Sequence, residues 1–541
     1  MRKFFVIVSI LFMLIPSYAR NLKIENPYFE RNPRTYRLSL DAVELNDSST
    51  ILEFTLINKQ GYWASLDSTV TFLKGRNTGK SYKIIGTEKF PLNEKVIMPE
   101  EGMQNFKVLF EPLSDSDTII DFKEEGGFII EGINLSSDHS DLLKTNISGV
   151  VEDPDIDCFI VMESSDDFRV ADKIYTIPVV NGRFDKDIYS DSPRLYEVIK
   201  LYEILKGSWM PVQFFSQGGN INLYFSENAN NKGEIVGGNS LTEDYYAYLD
   251  EKNIFFKNLY DNHPDILRYR ELSDSRLNLS KEAREIEDSL KIANEEQRVG
   301  LLKRQSMLWK DNKFYSEEGI KARTLYEQAI DSVNSLLMGW ISEKIKNPSM
   351  IGLAEIYDNV KSNGSQVDKY IKIFENNYRD SFINHPYHIF LSELLKNNEP
   401  VPGNKFIDFR APDLQNRFIP LSLLINGKVA VIDLWASWCG PCRKHSIELI
   451  PLYDKYKDKG FTVVGVAREN ENTDAMRKVI EHDGYPWINL VDLNDNINVW
   501  AKYRVGNAGG RLILVDETGT IVSVDSEVSE IAAYLEQKFS Y

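Results

Sequence analysis

The sequence predicts a multidomain fold: β-sandwich modules, then a helical region, then a C-terminal α/β domain. Three observations carry that reading. The chain has 541 residues, far more than the roughly 100 to 150 over which one hydrophobic core usually grows. Apolar residues alternate in short runs as far as Phe225 and then recur at helical spacing as far as Leu395. Beyond Pro402 and Gly403 the pattern changes again, to strands separated by helices. Charged residues make up 27% and hydrophobic ones 42%, an ordinary globular balance that calls for no long disordered tract. The formal charge of -18, from 63 basic against 81 acidic side chains, repels polyanions and argues against nucleic acid as a partner.

Residues 1–19 read as an export signal. Arg2 and Lys3 give a positive start, Phe4 to Ile15 is apolar, and Ser17 and Ala19 offer small residues for cleavage. The run is shorter than the roughly 20 residues that a spanning helix needs. The expected location is therefore the periplasm or cell envelope, an oxidising compartment.

Residues 20–140 read as a β-sandwich module. Tyr36, Leu38 and Leu40 share one face of a strand, as do Leu52, Phe54 and Leu56, and then Phe106, Val108 and Phe110. Residues 141–235 read as a second β module, whose clearest signal is "YTIPVVNGRFDKDI", with Asn181 and Gly182 suited to a hairpin turn. In "DCFIVMES", Cys158, Ile160 and Met162 alternate like a buried strand face, so Cys158 reads as an inert core thiol rather than a resolving cysteine. Residues 236–398 read as helices, with Ile286, Leu290, Ala293 and Leu301 forming the stripe of a solvated hairpin. His385 and His388 do not read as a metal pair, because Pro386 breaks the helix that would align them. Residues 399–541 read as the α/β domain, with strands "KVAVIDLWA", "FTVVGVA", "RLILVD" and "TIVSVD", and helices after Cys439, Thr473, Asn494 and Ser526.

The chemistry concentrates in "ASWCGPCRK". Cys439 and Cys442 stand where a strand ends and a helix begins, so the first thiol meets unpaired helix amides that stabilise a thiolate. Cys442, one turn deeper, is placed to displace a mixed disulfide. Pro441 suits the first helical turn because its missing N–H costs nothing there. A structural zinc site needs four ligands, and this chain has one such pair. The exchange requires no cofactor and no metal.

"VIDLWASWCGPCRK" resembles the active-site segment of the thioredoxin superfamily. The longer stretch from Gly427 to Ala467 is similar to its exported thiol-disulfide oxidoreductase branch, the periplasmic thioredoxin-like proteins related to cytochrome c maturation reductases, as is the insertion from Arg468 to Asn489. That resemblance makes 399–541 a thioredoxin-like domain and matches Asp433 to the buried acid that relays the proton of the second cysteine. A desolvated carboxyl is suited to that task; the alternative is an exposed carboxylate at a strand end. It likewise matches Trp438 to the tryptophan that shapes the partner surface, and Gly440 and Pro441 to the dipeptide of reducing members. Protein disulfides or thiols are the implied substrates, and a membrane electron donor the implied source of electrons.

Two departures stand out. Gly509 and Gly510 occupy the loop where the family places a cis proline opposite the disulfide, which implies a different docking geometry. Ile447 replaces the proline that kinks the active-site helix, while Pro451 follows later. His445 would favour a thiolate if protonated, and otherwise is a solvent-facing helix residue. The amino-terminal layout, with phrases such as "KNPSMIGL", is similar to modules that precede thioredoxin domains in envelope proteins of Bacteroidetes-like bacteria. Two classes of function follow: a periplasmic thiol-disulfide oxidoreductase, or an envelope binding or scaffolding protein with a subsidiary or degenerate redox domain.

Overall fold

A computed structural model describes residues 21–33, 35–136, 139–169, 171–207, 210–227, 232–362, 366–396, 400–470, 472–506 and 509–539. The expected export signal lies outside them. Among the described residues, no helix is long and apolar enough to cross a membrane.

The first module is one eight-stranded sheet that folds over on itself. Strand Ser81–Glu88 is shared between its halves: residues 84–88 pair with Met103–Phe110, and residues 81–83 pair with Thr71–Gly75. The register shift between Ile84 and Gly86 makes the bend. Phe54 then stacks on Phe106 of its own half at 5.4 Å and meets Phe122 of the other at 5.1 Å. Leu38, Leu40, Leu52, Leu56, Val108 and Phe110 are buried beside them, as the alternation requires.

The second module stacks two four-stranded sheets. Leu143–Val151 is central to one, antiparallel to Arg183–Ser190 and parallel to Gly219–Phe225. Cys158–Glu163 is central to the other, between Tyr175–Pro178 and Leu195–Lys200. Phe159 joins the layers by packing on Phe184 and Phe225 at 4.9 and 4.6 Å. The tight turn expected in "YTIPVVNGRFDKDI" forms, with Val180 and Arg183 bridging antiparallel across Asn181 and Gly182. Both turn residues have positive φ, 51° and 68°, but the two flanking strands enter different sheets. Tyr175, Thr176 and Ile177 are buried in succession, so the first strand has no solvent face to present in a simple hairpin.

One hydrophobic cluster runs from Ile24 through Leu135 and on to Phe225, so the chain boundary near residue 140 is not a break in the core. Polar ties reinforce it. Buried Lys186 donates to the Leu40 carbonyl at 2.8 Å, and Asn32 donates to the Ile174 carbonyl at 2.7 Å.

The helices from Ser240 to Lys396 dock on the second module through Thr242, whose hydroxyl accepts from Phe215 N–H at 3.0 Å, and Tyr387, whose hydroxyl accepts from Leu195 N–H at 2.9 Å. The charged hairpin consists of Lys281–Ile292 and Glu295–Lys310, with Ile286, Leu290 and Leu301 on the inner side. Ala293 does not belong to that stripe. It is the extended residue between the helices, because Asn294 starts a new helix through a capping box with Gln297. His385 and His388 each meet a backbone carbonyl, of Pro193 and Arg379 respectively, at 2.9 Å.

The last domain is a five-stranded sheet flanked by helices. From one edge to the other its strands are Ile488–Leu493, Phe461–Glu469, Val429–Trp435, Arg511–Val515 and Ile521–Val524. The first three run parallel, and Arg511–Val515 is antiparallel to the central strand. Ile488–Leu493 was not among the expected strands; it starts in the last two residues of the expected insertion and runs past it. Its Asn489 and Asp492 are buried and satisfied locally, Asn489 by accepting from Trp435 Nε1 at 3.1 Å, so no apolar alternation marks it.

Candidate functional site

Every residue of Val429–Trp435 is buried, as expected for a central strand flanked on both faces. The chain leaves it at Ala436, and Gly440–Tyr456 begins one short turn later with Cys439 as its N-cap. Cys439 Sγ accepts from the Cys442 N–H at 3.3 Å, so the sulfur itself satisfies an end amide of a 17-residue helix. The pair is joined as a disulfide. Both cysteines are nearly closed off, 5% and 6% exposed, while Gly440 and Pro441 between them are open to solvent. Arg443, which follows them, is forked onto Asp483 at 2.8 Å through Nε and Nη2, so its charge is turned toward that acid.

Asp433 lies beneath on the central strand, 1% exposed. Desolvation pushes its carboxyl up to about 7, against the opposing pull of the Ser446 hydroxyl, which donates to Oδ2 at 2.7 Å. The same hydroxyl lies 3.1 Å from the Cys442 carbonyl oxygen, so its one hydrogen is shared between the acid and the helical turn that carries the second cysteine. Sequence reading found Asp433 and missed Ser446. The one signal for the serine was its place a helical turn beyond Cys442.

A second buried acid holds the segment before the motif. Glu469, at the end of Phe461–Glu469, accepts from Ser437 N–H and Ser437 Oγ, both at 2.7 Å. Burial raises its carboxyl as well. Trp438 is then turned outward, 37% exposed. Its ring lies under the Arg169 guanidinium, whose central carbon is 3.8 Å from the ring centroid. His445 is half-buried and Ile447 45% exposed, and Pro451 sits inside the helix.

Gly509 and Gly510 lead into Arg511–Val515, opposite the disulfide. The Gly509 carbonyl accepts from Trp500 Nε1 at 3.0 Å. A Cβ on Gly510 would stand 1.9 Å from the Leu434 carbonyl oxygen and 2.8 Å from Cys442 Sγ. The glycine is thus required by the chain's own close packing against the second sulfur. Asp433, Cys439, Cys442, Trp438 and Gly510 are all brought to one end of the central strand. Cys158 is remote, with burial pushing its thiol well above the ordinary range. Among the described residues no cluster of His, Cys, Asp and Glu could hold a metal ion.

Residues 401–537 match the family model described as Redoxin. The chain is 30% identical over 121 residues to the thiol-disulfide oxidoreductase ResA of Bacillus thuringiensis strain Al Hakam, covering 22% of this chain and 66% of that protein. It is 30% identical over 125 residues to the protein DipZ of Mycobacterium bovis, covering 22% of this chain and 16% of that one. Among solved structures, the thioredoxin domain of a thiol-disulfide oxidoreductase from Bacteroides vulgatus is 28% identical, covering 25% of this chain and 96% of its own, with a TM-score of 0.24. The carboxy-terminal quarter of the chain is a redoxin domain of the thioredoxin fold, and its Bacillus relative, about two thirds of whose length the match spans, is a thiol-disulfide oxidoreductase.

Proposed function

We propose that this protein is an exported thiol-disulfide oxidoreductase of the cell envelope that reduces protein disulfides through Cys439 and Cys442. The observation that carries the reading is the stacking of three elements: a sulfur capping a helix, a second sulfur one turn below, and Asp433 beneath with its carboxyl at about 7. In the reduced protein the Cys439 thiolate attacks one sulfur of the substrate disulfide. That S–S bond breaks, a mixed disulfide forms, and the first substrate sulfur leaves as a thiolate. Asp433, ionised, accepts the proton of Cys442. The Cys442 thiolate then attacks Cys439 Sγ, releasing the second substrate thiolate and closing the Cys439–Cys442 disulfide. Two electrons pass to the substrate, and a membrane electron donor returns the pair to its reduced state.

Trp438 and the exposed Gly440 and Pro441 surround the sulfurs and form the docking rim, with Gly509 and Gly510 on the opposite side. Direction is supported by Gly440-Pro441, the dipeptide of reducing members. The full-length Cys442→Ala protein should accumulate substrates as mixed disulfides on Cys439, detectable as shifted bands on non-reducing gels and lost on adding dithiothreitol. Absence of such adducts, together with failure of the wild-type protein to reduce insulin, would overturn the reading in favour of a binding or scaffolding protein.

A further inference from the structure

The redox site is touched on one flank, and reached through a side-chain relay on the other, by a loop from a different part of the chain. Residues 164–169, which follow strand Cys158–Glu163 of the second β module, place Arg169 over Trp438 at 3.8 Å. Arg169 is itself oriented by Asp167, which accepts from its Nε at 2.8 Å and its Nη2 at 2.5 Å. The same Asp167 carboxylate lies 3.6 Å from Arg468 of the redoxin domain, both side chains being 4% exposed. Arg468 is anchored to Asp495 at 2.7 Å and faces the ring of Trp500, whose Nε1 holds the Gly509 carbonyl. One short loop therefore contacts the tryptophan beside Cys439 directly. Through Arg468 and Trp500 it also reaches the glycine loop opposite the disulfide.

A crevice of about 260 Å³ opens beside Arg169. Arg31, Ile129 and Glu131 of the first module, Asp172 of the second and Asn494 of the redoxin domain line it. The rim of the disulfide is thus continuous with a surface built by three parts of the chain. A small thiol compound would need only the sulfurs. A surface that extends from Trp438 into a mixed polar crevice fits an extended polypeptide segment on either side of a target disulfide.

We propose that the two β modules form part of the protein-docking surface of the redox site, with Arg169 and Asp167 as positioning residues that hold Trp438 in its docking orientation. This rests on the oxidoreductase reading above. Burying Asp167 and Arg468, each 4% exposed, is costly unless both are paired, and here Arg169 on one side and Asp495 on the other complete the pairing. The guanidinium's stack on the indole face supplies an orientation that a flexible lysine or an uncharged amide does not reproduce in full.

The test uses the full chain and three variants, Arg169→Ala, Arg169→Gln and Arg169→Lys, assayed for insulin reduction with dithiothreitol as electron source. Loss of one cation–π contact should raise KM by about fivefold in the alanine and glutamine variants, with kcat within about twofold and part of the loss recovered by lysine. Hydrogen exchange of the peptide containing Trp438 should quicken in the same two variants. An unchanged KM and unchanged exchange in folded Arg169→Ala overturns the positioning role while leaving the oxidoreductase reading intact. A fall in kcat and thermal midpoint with KM unchanged also overturns it, since that is the signature of a merely structural contact. A wild-type chain inactive on every protein disulfide removes the oxidoreductase reading and this inference together.

Discussion

Cys158 and Cys439 are equally hidden, 1% and 5% exposed, yet the chain surrounds them with opposite electrostatics. Cys158 begins a strand inside an apolar cluster with Ile160, Met162, Ile199 and Ile204. Its sulfur donates to the Phe159 carbonyl at 3.3 Å, which does nothing for a thiolate, and burial outweighs the pull of the Ile177 backbone N–H. Cys439 ends a loop at a helix N-terminus, where a backbone N–H points at the sulfur. Burial by itself disfavours ionisation in both places. What separates the two sulfurs is the helix N-terminus, which Cys439 caps and which Cys158, at the start of a strand, lacks.

The largest effect that would break or sharpen this contrast is a pair of substitutions. Cys439→Ser should abolish insulin reduction, whereas Cys158→Ser should leave the rate within about twofold in the folded protein, as the nucleophilic role proposed for the helix-terminal sulfur requires. Mass spectrometry after brief iodoacetamide treatment of the reduced native protein should find label on Cys439 and none on Cys158 until the chain is unfolded. Label on native Cys158 would remove the distinction.

Next is Asp433→Asn, which should slow disulfide closure by about 100-fold, the lower end of general-base effects. The wild-type rate should rise through pH about 7 as Asp433 ionises, and the variant should lose that step. Stability should move the other way. The folded oxidised protein keeps the Asp433 proton up to about 7, whereas the unfolded chain releases it near about 4. Its stability contribution is therefore full below that lower value and falls as pH rises through 7, by up to about 4 kcal/mol. Urea unfolding of the oxidised protein at acid and alkaline pH should show this fall in the wild type and not in Asp433→Asn.

The smallest of the three is Gly510→Ala. Its Cβ would meet the Leu434 carbonyl and Cys442 Sγ, and the forced shift should cost about 1 to 3 kcal/mol in urea midpoint measurements. A slower exchange rate should accompany it, because the displaced partner is the second sulfur. An alanine variant as stable and as fast as the wild type would show that the loop relaxes freely.

What could be read before the structure was local in sequence. The strand-to-helix junction at Cys439, the proline at the first helical turn and the Asn181-Gly182 turn each announce themselves within a few residues. Asp433 was readable because it shares the strand that delivers the motif. Ser446 was not, since its value comes from a helix face closing over a strand. Ile488–Leu493 was masked by Asn489 and Asp492, polar residues whose burial makes sense only once Trp435 and the backbone of Ile497 and Val499 are in place. Arg169 is the extreme case. Nothing in the pattern around it marks proximity to a cysteine so far along the chain, because that contact depends on how the second module's loop lies against the redoxin domain.

The parallel pairing of Leu143–Val151 with Gly219–Phe225 has a consequence for how the nascent chain matures. All of the partner sheet, from Cys158 to Phe215, is synthesised between those two strands. Until Phe225 emerges, Leu143–Val151 carries an open edge that invites pairing with other chains. A product truncated before Gly219 is therefore expected to aggregate rather than survive as a half-built module.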